Sequence, residues 1–184
     1  MNNLQKKVIN ICVWISIIIF SLRCIISWTK ALNGTTIYDI YGYAGEAISI
    51  GVIITGVYEK FLWKFNPFES TPKLFKNYKG YIKSSYDGKT REASLEIHQT
   101  LLSVYVILIT GESKSKSISA SINEILGENQ LTYCYLNTPK SEFRQKSEIH
   151  YGTATLSISK PQKLDGQYYT DRKTIGDMYF EAVK

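Results

Sequence analysis

Few residues in this chain have the types and spacing that catalysis needs. The two histidines, His98 and His150, stand apart, and neither has a cysteine or second histidine at a metal-ligand spacing. No HExxH, CxxC, GxSxG or phosphate-loop pattern occurs. Cys134 with a histidine would make a thiol site, but a small strand residue is the plainer reading. No catalytic residue and no metal site is therefore expected. Binding groups are more plentiful. Most of the 14 tyrosines lie beyond residue 65. Of these, Tyr133, Tyr135, Tyr151, Tyr168 and Tyr169 fall in alternating segments. Such rings stack on bases for about 1–3 kcal/mol each. Arg91, Arg144 and Arg172 offer planar forks for phosphate. Gln99, Asn137 and the threonines could address base edges. Tyrosine is also favoured in strands for packing alone, so pattern leaves a nucleotide pocket and a purely structural role both open.

These residues follow two long apolar segments. Residues 8–28 read VINICVWISIIIFSLRCIISW, and residues 37–58 read IYDIYGYAGEAISIGVIITGVY. Roughly 20 helical residues cross a hydrocarbon core of about 30 Å, so each predicts a transmembrane helix. A cleaved signal is the rival, since Lys6 and Lys7 precede the first run. No small-x-small cleavage site follows, and Arg23 stands before Cys24 where a lipoprotein signal needs a small residue. Lys6 and Lys7 before the first span, and Lys60 and Lys64 after the second, outweigh the single Lys30 in the loop from Thr29 to Thr36. The positive-inside rule then places both termini in the cytoplasm. Trp28 and Trp63 suit the two interfaces as anchors. Cys12, Cys24 and Cys134 make no disulfide framework, which a reducing cytoplasm tolerates.

Two charges fall within the spans. Arg23 and Glu46 lie at similar distances from the middle of the loop near Asn33–Gly34, which puts them at similar depth in a hairpin. Intramembrane charges are costly and are usually paired or functional. An Arg23–Glu46 contact, within one chain or between neighbours, is one reading; a snorkelling Arg23 and a protonated Glu46 is the other. Ala47, Gly51 and Thr55 repeat at four-residue spacing, which lets helix backbones approach closely. That stripe serves either packing of the hairpin or self-association.

Beyond the spans the pattern changes. Residues 1–65 hold six Lys/Arg and three Asp/Glu, and residues 66–184 hold sixteen and thirteen. The second part is thus only mildly basic and lacks the dense stripe of a DNA or RNA binder. Prolines at 67 and 72 stop the second helix. Short alternating runs then predict eight strands, near Tyr78–Tyr86, Arg91–Gln99, Leu101–Thr110, Ser115–Ile125, Leu131–Asn137, Glu148–Ser159, Gly166–Arg172 and Asp177–Val183. Asp87-Gly88 is a hairpin signal, and Thr138-Pro139 reads as the stop of the fifth strand. The expected organisation is a transmembrane helical hairpin over 1–64, a linker over 65–76, and an all-β domain over 77–184. An up-and-down antiparallel barrel of about eight strands removes exposed edges and can hold one small ligand; a β-sandwich is the other solution. Alternation puts Ser113, Ser115, Ser117, Ser119 and Ser121 on one face, and Tyr151, Thr153, Thr155 and Ser157 on another. Those hydroxyls either face solvent or line a polar lumen.

Several segments resemble one family: SSYDG (84–88), HQTLLS (98–103), TGESKSKS (110–117), LTYCYLNTP (131–139), HYGTATL (150–156) and DGQYYTDRKTIG (165–176). Behind two spans and the WKFNP junction at 63–67, they resemble the two-transmembrane, β-barrel membrane effector of bacterial cyclic-oligonucleotide-based anti-phage signalling (CBASS). The resemblance implies an inner-membrane protein with a cytoplasmic barrel. Its barrel would bind a cyclic dinucleotide made by a partner cyclic nucleotide synthase. Binding would drive homo-oligomerisation through the helices, membrane disruption and abortive infection. It implies no cofactor and no reaction catalysed. On that reading the ligand residues are Tyr86, Gln99, Tyr135, Asn137, Thr153, Tyr169 and Arg172, with Arg172 on phosphate, a tyrosine stacked on a base, and Asn137 and Gln99 at base edges. Arg23, Glu46, Ala47, Gly51 and Thr55 would form the membrane assembly surface. The alternative is a membrane-tethered barrel for a lipid or other apolar ligand, which calls for a lumen of Leu, Ile, Val and Phe.

Overall fold

The first apolar run folds as helix α1 (Asn3–Lys30), and the second as helix α2 (Ile37–Lys60). Both are long and apolar enough to cross a membrane. A computed structural model describes residues 1, 3–30 and 36–183. The turn expected near Asn33–Gly34 lies outside them. Two compact units emerge, one comprising Met1–Glu69 with Thr100–Leu102, the other Ser70–Gln99 with Ser103–Lys184.

In the first unit, α2 begins at a capping box. The Asp39 N–H donates to Thr36 Oγ1 at 3.3 Å, and the Thr36 N–H donates to Asp39 Oδ2 at 2.9 Å. The two helices pack antiparallel. Ser27 and Tyr43 hydroxyls meet at 2.8 Å, and Arg23 Nε reaches Glu46 Oε2 at 3.1 Å. The Arg23 guanidinium also lies 5.2 Å from the Tyr43 ring centre. Ala47, Gly51 and Thr55 are the buried positions of α2. A methyl group added at Gly51 would come within 2.2 Å of Ser16 Oγ, so this glycine sets how closely the helices approach. In this chain, then, the small-residue stripe packs the hairpin. After α2 a 3₁₀ turn (Leu62–Phe65) carries Trp63, which is fully buried with Val8 and Leu101. Trp63 is therefore a packing residue and no interfacial anchor.

The second unit is a closed barrel of β1 (Asn77–Ser84), β2 (Thr90–Gln99), β3 (Val104–Thr110), β4 (Ser113–Ile125), β5 (Glu128–Pro139), β6 (His150–Lys160), β7 (Lys163–Thr170) and β8 (Ile175–Ala182). Each strand pairs antiparallel with its sequence neighbour, and β1 pairs with β8 to close the ring. Inward residues alternate with outward ones, and Tyr78, Leu95, Leu131, Leu156, Leu164 and Met178 are among the fully buried side chains. Burying one such aliphatic side chain contributes about 1.5–3 kcal/mol. One end is plugged by Tyr78, whose hydroxyl donates to the Pro161 carbonyl at 2.7 Å and accepts the Phe75 N–H at 3.0 Å.

Three differences from the sequence reading have physical causes. β3 starts at Val104 because Leu101 is spent elsewhere: its N–H donates to the Glu59 carbonyl at 3.1 Å and its side chain is buried against Trp63. β5 runs on through Pro139, opposite Ser113 at the last pair of the ladder, where a missing N–H is tolerated. A bulge between Ser117 and Ser119 breaks the parity of β4. Before it, Ser115 points inward and is buried. After it, Ala120 and Ile122 pack on the core while Ser119 and Ser121 are exposed. The five serines therefore do not share one face.

Candidate functional site

The open end of the barrel lies where β1, β3, β5 and β7 finish and β2, β4, β6 and β8 begin. A cavity of about 500 Å³ occupies it, lined from β1 to β7, from the turns at this end and from the segment between β5 and β6. Its floor carries the apolar Ile82 and Leu108, and its walls are mostly hydroxyl, amide and charged groups.

Two aromatic rings enter the cavity from neighbouring parts of the wall. Tyr135 on β5 stands opposite Gly152 on β6, and Tyr168 on β7 opposite Gly176 on β8. Each ring lies over its glycine: a methyl group at Gly152 would come within 2.4 Å of the Tyr135 ring, and one at Gly176 within 2.5 Å of the Tyr168 ring. Glycine opposite tyrosine thus clears the space that lays each ring along the wall. Burial, with smaller effects from Tyr168 and Asp171, pushes the Tyr135 phenol far above its ordinary value, so it stays a neutral donor.

A chain of polar side chains crosses beside Tyr135. Ser115 Oγ donates to Asn137 Oδ1 at 3.0 Å, and the Asn137 amide faces His150 Nε2 at 3.4 Å. His150 Nδ1 lies 2.9 Å from the Glu148 carbonyl. A carbonyl only accepts, so Nδ1 carries the proton and Nε2 is left to accept from Asn137. Asn137 is 8% exposed, so its orientation is fixed by these bonds.

The rim is electrostatically divided. On the side of the β1–β2 and β3–β4 turns, all three nitrogens of Arg91 are engaged by carboxylates. Its two terminal nitrogens donate to Asp87 at 3.1 and 2.8 Å, and its Nε to Glu112 at 3.2 Å. The hydrogen bond from Arg91 holds the Asp87 carboxyl at about 2, and Asp87 in turn raises the Arg91 pKa. On the side of the β5–β6 segment and the β7–β8 turn stand Lys146 and Arg172. Neither has a carboxylate within ion-pair distance among the described residues. Arg172 Nη1 donates to Ser147 Oγ at 3.1 Å, which ties the turn to the segment before β6.

Of the residues named from sequence as ligand groups, Tyr86, Tyr135, Asn137 and Arg172 line this cavity. Gln99 does not: it ends β2 at the opposite end of the barrel, where it accepts the Leu74 N–H at 3.0 Å and donates to the Pro72 carbonyl at 2.8 Å. Thr153 and Tyr169 oppose one another across β6 and β7 on the outer surface, beside Cys134, whose Sγ is 3.4 Å from Thr153 Oγ1. Their inward neighbours Gly152 and Tyr168 reach the cavity instead. Sequence reasoning did not name Lys146, Thr170 or Thr174 as ligand groups, and placed Ser115 only on a serine face open to solvent or to a lumen. Lys146 had a signal in the polar stretch from Lys140 to Lys146; the other three had none beyond alternation.

Comparison with known proteins agrees with this architecture. A family described as "Cap15, cyclic dinucleotide receptor domain" matches residues 69–182. CD-NTase-associated protein 15 of Staphylococcus schleiferi is 34% identical over 188 residues, covering 100% of both chains. Two apolar helices followed by an eight-stranded closed barrel, and a match running over the whole barrel, place this chain in the Cap15 family of cyclic dinucleotide receptor domains.

Proposed function

We propose that this chain is a membrane-anchored effector whose barrel mouth takes a cyclic dinucleotide. The observation that carries the reading is the mouth itself. Two tyrosine rings laid over glycines stand in one cavity with Lys146 and Arg172, two cations on one side of the rim that have no ion pair among the described residues. A cyclic dinucleotide presents two flat bases and two phosphates with no free ends. Its bases suit the Tyr135 and Tyr168 rings, its phosphates suit Lys146 and Arg172, and Asn137 offers its remaining amide capacity to a base edge. The cavity volume falls in the usual range for small-ligand sites, about 300–1,000 Å³. The hydroxyl and charged lining disfavours the alternative of a lipid or other apolar ligand.

On this reading the output lies in the hairpin. A ligand shifts assembly only through a preference for the assembled state. The Arg172–Ser147 bond places one cation at the junction of two rim segments, so phosphate bound there would order both. Ordered barrels would cluster the helices, oligomerise and breach the inner membrane, with both termini and the barrel cytoplasmic. A cyclic nucleotide synthase would supply the ligand, as the name of the staphylococcal relative suggests. The experiment is dye release from anionic vesicles carrying the full chain. Release is expected only when a cyclic dinucleotide recognised by the barrel is added, and not with its linear counterpart. Release that ignores every nucleotide contradicts the proposal.

A further inference from the structure

The longest strand of the barrel uses its two edges unequally. β4 pairs with β5 from Ser113↔Pro139 to Ile125↔Glu128. With β3 it pairs only through Ile107↔Lys116, Leu108↔Ser115 and Ile109↔Lys114. The bulge then carries β4 away from β3, and the Ser117 hydroxyl takes over, accepting the Val106 N–H at 2.9 Å. Past it, residues 119–125 have no backbone partner on that edge among the described residues. Ser119, Ser121, Asn123 and Glu124 are exposed there.

Proteins usually protect such an edge with lysine, proline or several charges. Here Glu124 is the single charge in residues 119–125, and no proline occurs. The adjoining turn is equally unprotected. Leu126 has φ 53° and is 100% exposed, where a two-residue hairpin turn favours Asn or Gly. A leucine held in the left-handed region and left bare is costly twice over. Ile118 and Ile125 add exposed apolar surface beside it.

We propose that this edge docks a second copy of the chain, β4 against β4, antiparallel about Ile122. Charge selects this occupant. Lys114 and Lys116 precede the free segment, and Glu124 and Glu128 close it, so antiparallel pairing lays the basic end of each copy beside the acidic end of the other. A parallel neighbour would set like charges together. Length agrees: β3 blocks the edge before Ser117 and the turn ends it at Leu126, so a segment symmetric about Ile122 fills the gap. Faces agree as well, with Ser121 opposite Asn123 on the outer surface. The pair is isologous and consumes this edge, so it closes at two barrels, and any larger assembly needs another surface. Two spans in one bilayer would raise the effective concentration of the partners. The inference stands apart from the identity of the ligand at the mouth.

The test is sedimentation equilibrium of the full chain in detergent. Ser119→Lys with Asn123→Lys puts the missing protection on the edge; Ser157→Lys, on a strand paired on both sides, is the control. The double variant is expected to weaken self-association at least tenfold, with an unchanged circular dichroism spectrum, while the control matches the parent. If the double variant misfolds, thiol crosslinking decides. With Cys12, Cys24 and Cys134 replaced by serine, a short bis-maleimide should join Ser121→Cys chains as dimers and leave Thr155→Cys chains single. Undiminished association in the folded double variant, equal crosslinking at both positions, or loss of vesicle binding in place of self-association overturns the proposal.

Discussion

Replacing Gly152 by alanine isolates what lays the Tyr135 ring along the cavity wall. The added carbon would sit 2.4 Å from the outer end of the ring. Carbon contacts settle near 3.5 Å, so the ring must swing by about 1 Å. Overpacking of this kind costs about 1–3 kcal/mol. Gly152 has no positive φ, so alanine fits its backbone and returns about 0.5–1 kcal/mol of chain entropy. The net destabilisation in the parent is then between roughly 0 and 2.5 kcal/mol. In a Tyr135→Ala background the clash is gone, and the same change should be neutral or slightly stabilising. The assay is a double-mutant cycle on thermal unfolding of the barrel in the full chain, where each kcal/mol moves the melting temperature by about 4 °C or more. A coupling of about 1–3 kcal/mol is expected between the two sites. Ligand binding should follow the ring and not the stability. Both single variants and the double should lose a stacking platform worth about 1–3 kcal/mol, roughly fivefold to 150-fold in affinity. Equal costs of Gly152→Ala in the two backgrounds would refute the packing argument, and unchanged affinity in Tyr135→Ala would remove the ring from the site.

Two further outcomes follow from other parts of the chain. The Asp87 carboxyl is held at about 2 by its bond from Arg91, below its ordinary value of 3.8. A depressed folded-state pKa adds stability above the unfolded pKa and loses it as pH falls through the folded one. The rim clasp should therefore persist at pH 5 and dissolve between about pH 4 and 2. Carboxyl resonances followed by NMR should show Asp87 titrating near its ordinary value in Arg91→Ala, and an unmoved titration would contradict the clasp. In the hairpin, Glu46→Gln removes the charge facing Arg23 at 3.1 Å. Helix pairing and nucleotide-triggered dye release should both weaken, and undiminished release would make that contact irrelevant to output.

How far the sequence carried depends on the kind of information each feature needs. Spans, strands and barrel were legible because they rest on periodicity: about 20 apolar residues twice, then alternation punctuated by turns. Where β3 starts was not legible, because Leu101 is apolar for the sake of Trp63 and Val8 rather than the barrel. The bulge in β4 was hidden as well, since five alternating serines look uniform until one residue is skipped. For the site, residue types were readable and positions were not. Gln99 and Arg91 lie on one strand, yet eight residues at about 3.3 Å each separate the plugged end from the mouth. Tyr168 and Tyr169 are adjacent, and parity alone decides which ring enters the cavity. The division of the rim depends on pairing: Arg91 and Arg172 look alike in sequence, but two carboxylates occupy the first and, among the described residues, none the second.

Calorimetric titration of the full chain in detergent with a cyclic dinucleotide tests the central claim most directly. Arg172 and Lys146 offer charge-assisted bonds worth about 1.5–3 kcal/mol each, so losing either should cost roughly tenfold to 150-fold in affinity. The prediction is one dinucleotide per barrel, bound less tightly as salt rises, with Arg172→Ala and Lys146→Ala each weakening it in that range. Binding that survives both substitutions undiminished, or no binding of any cyclic dinucleotide by the folded chain, would contradict a receptor site at this mouth.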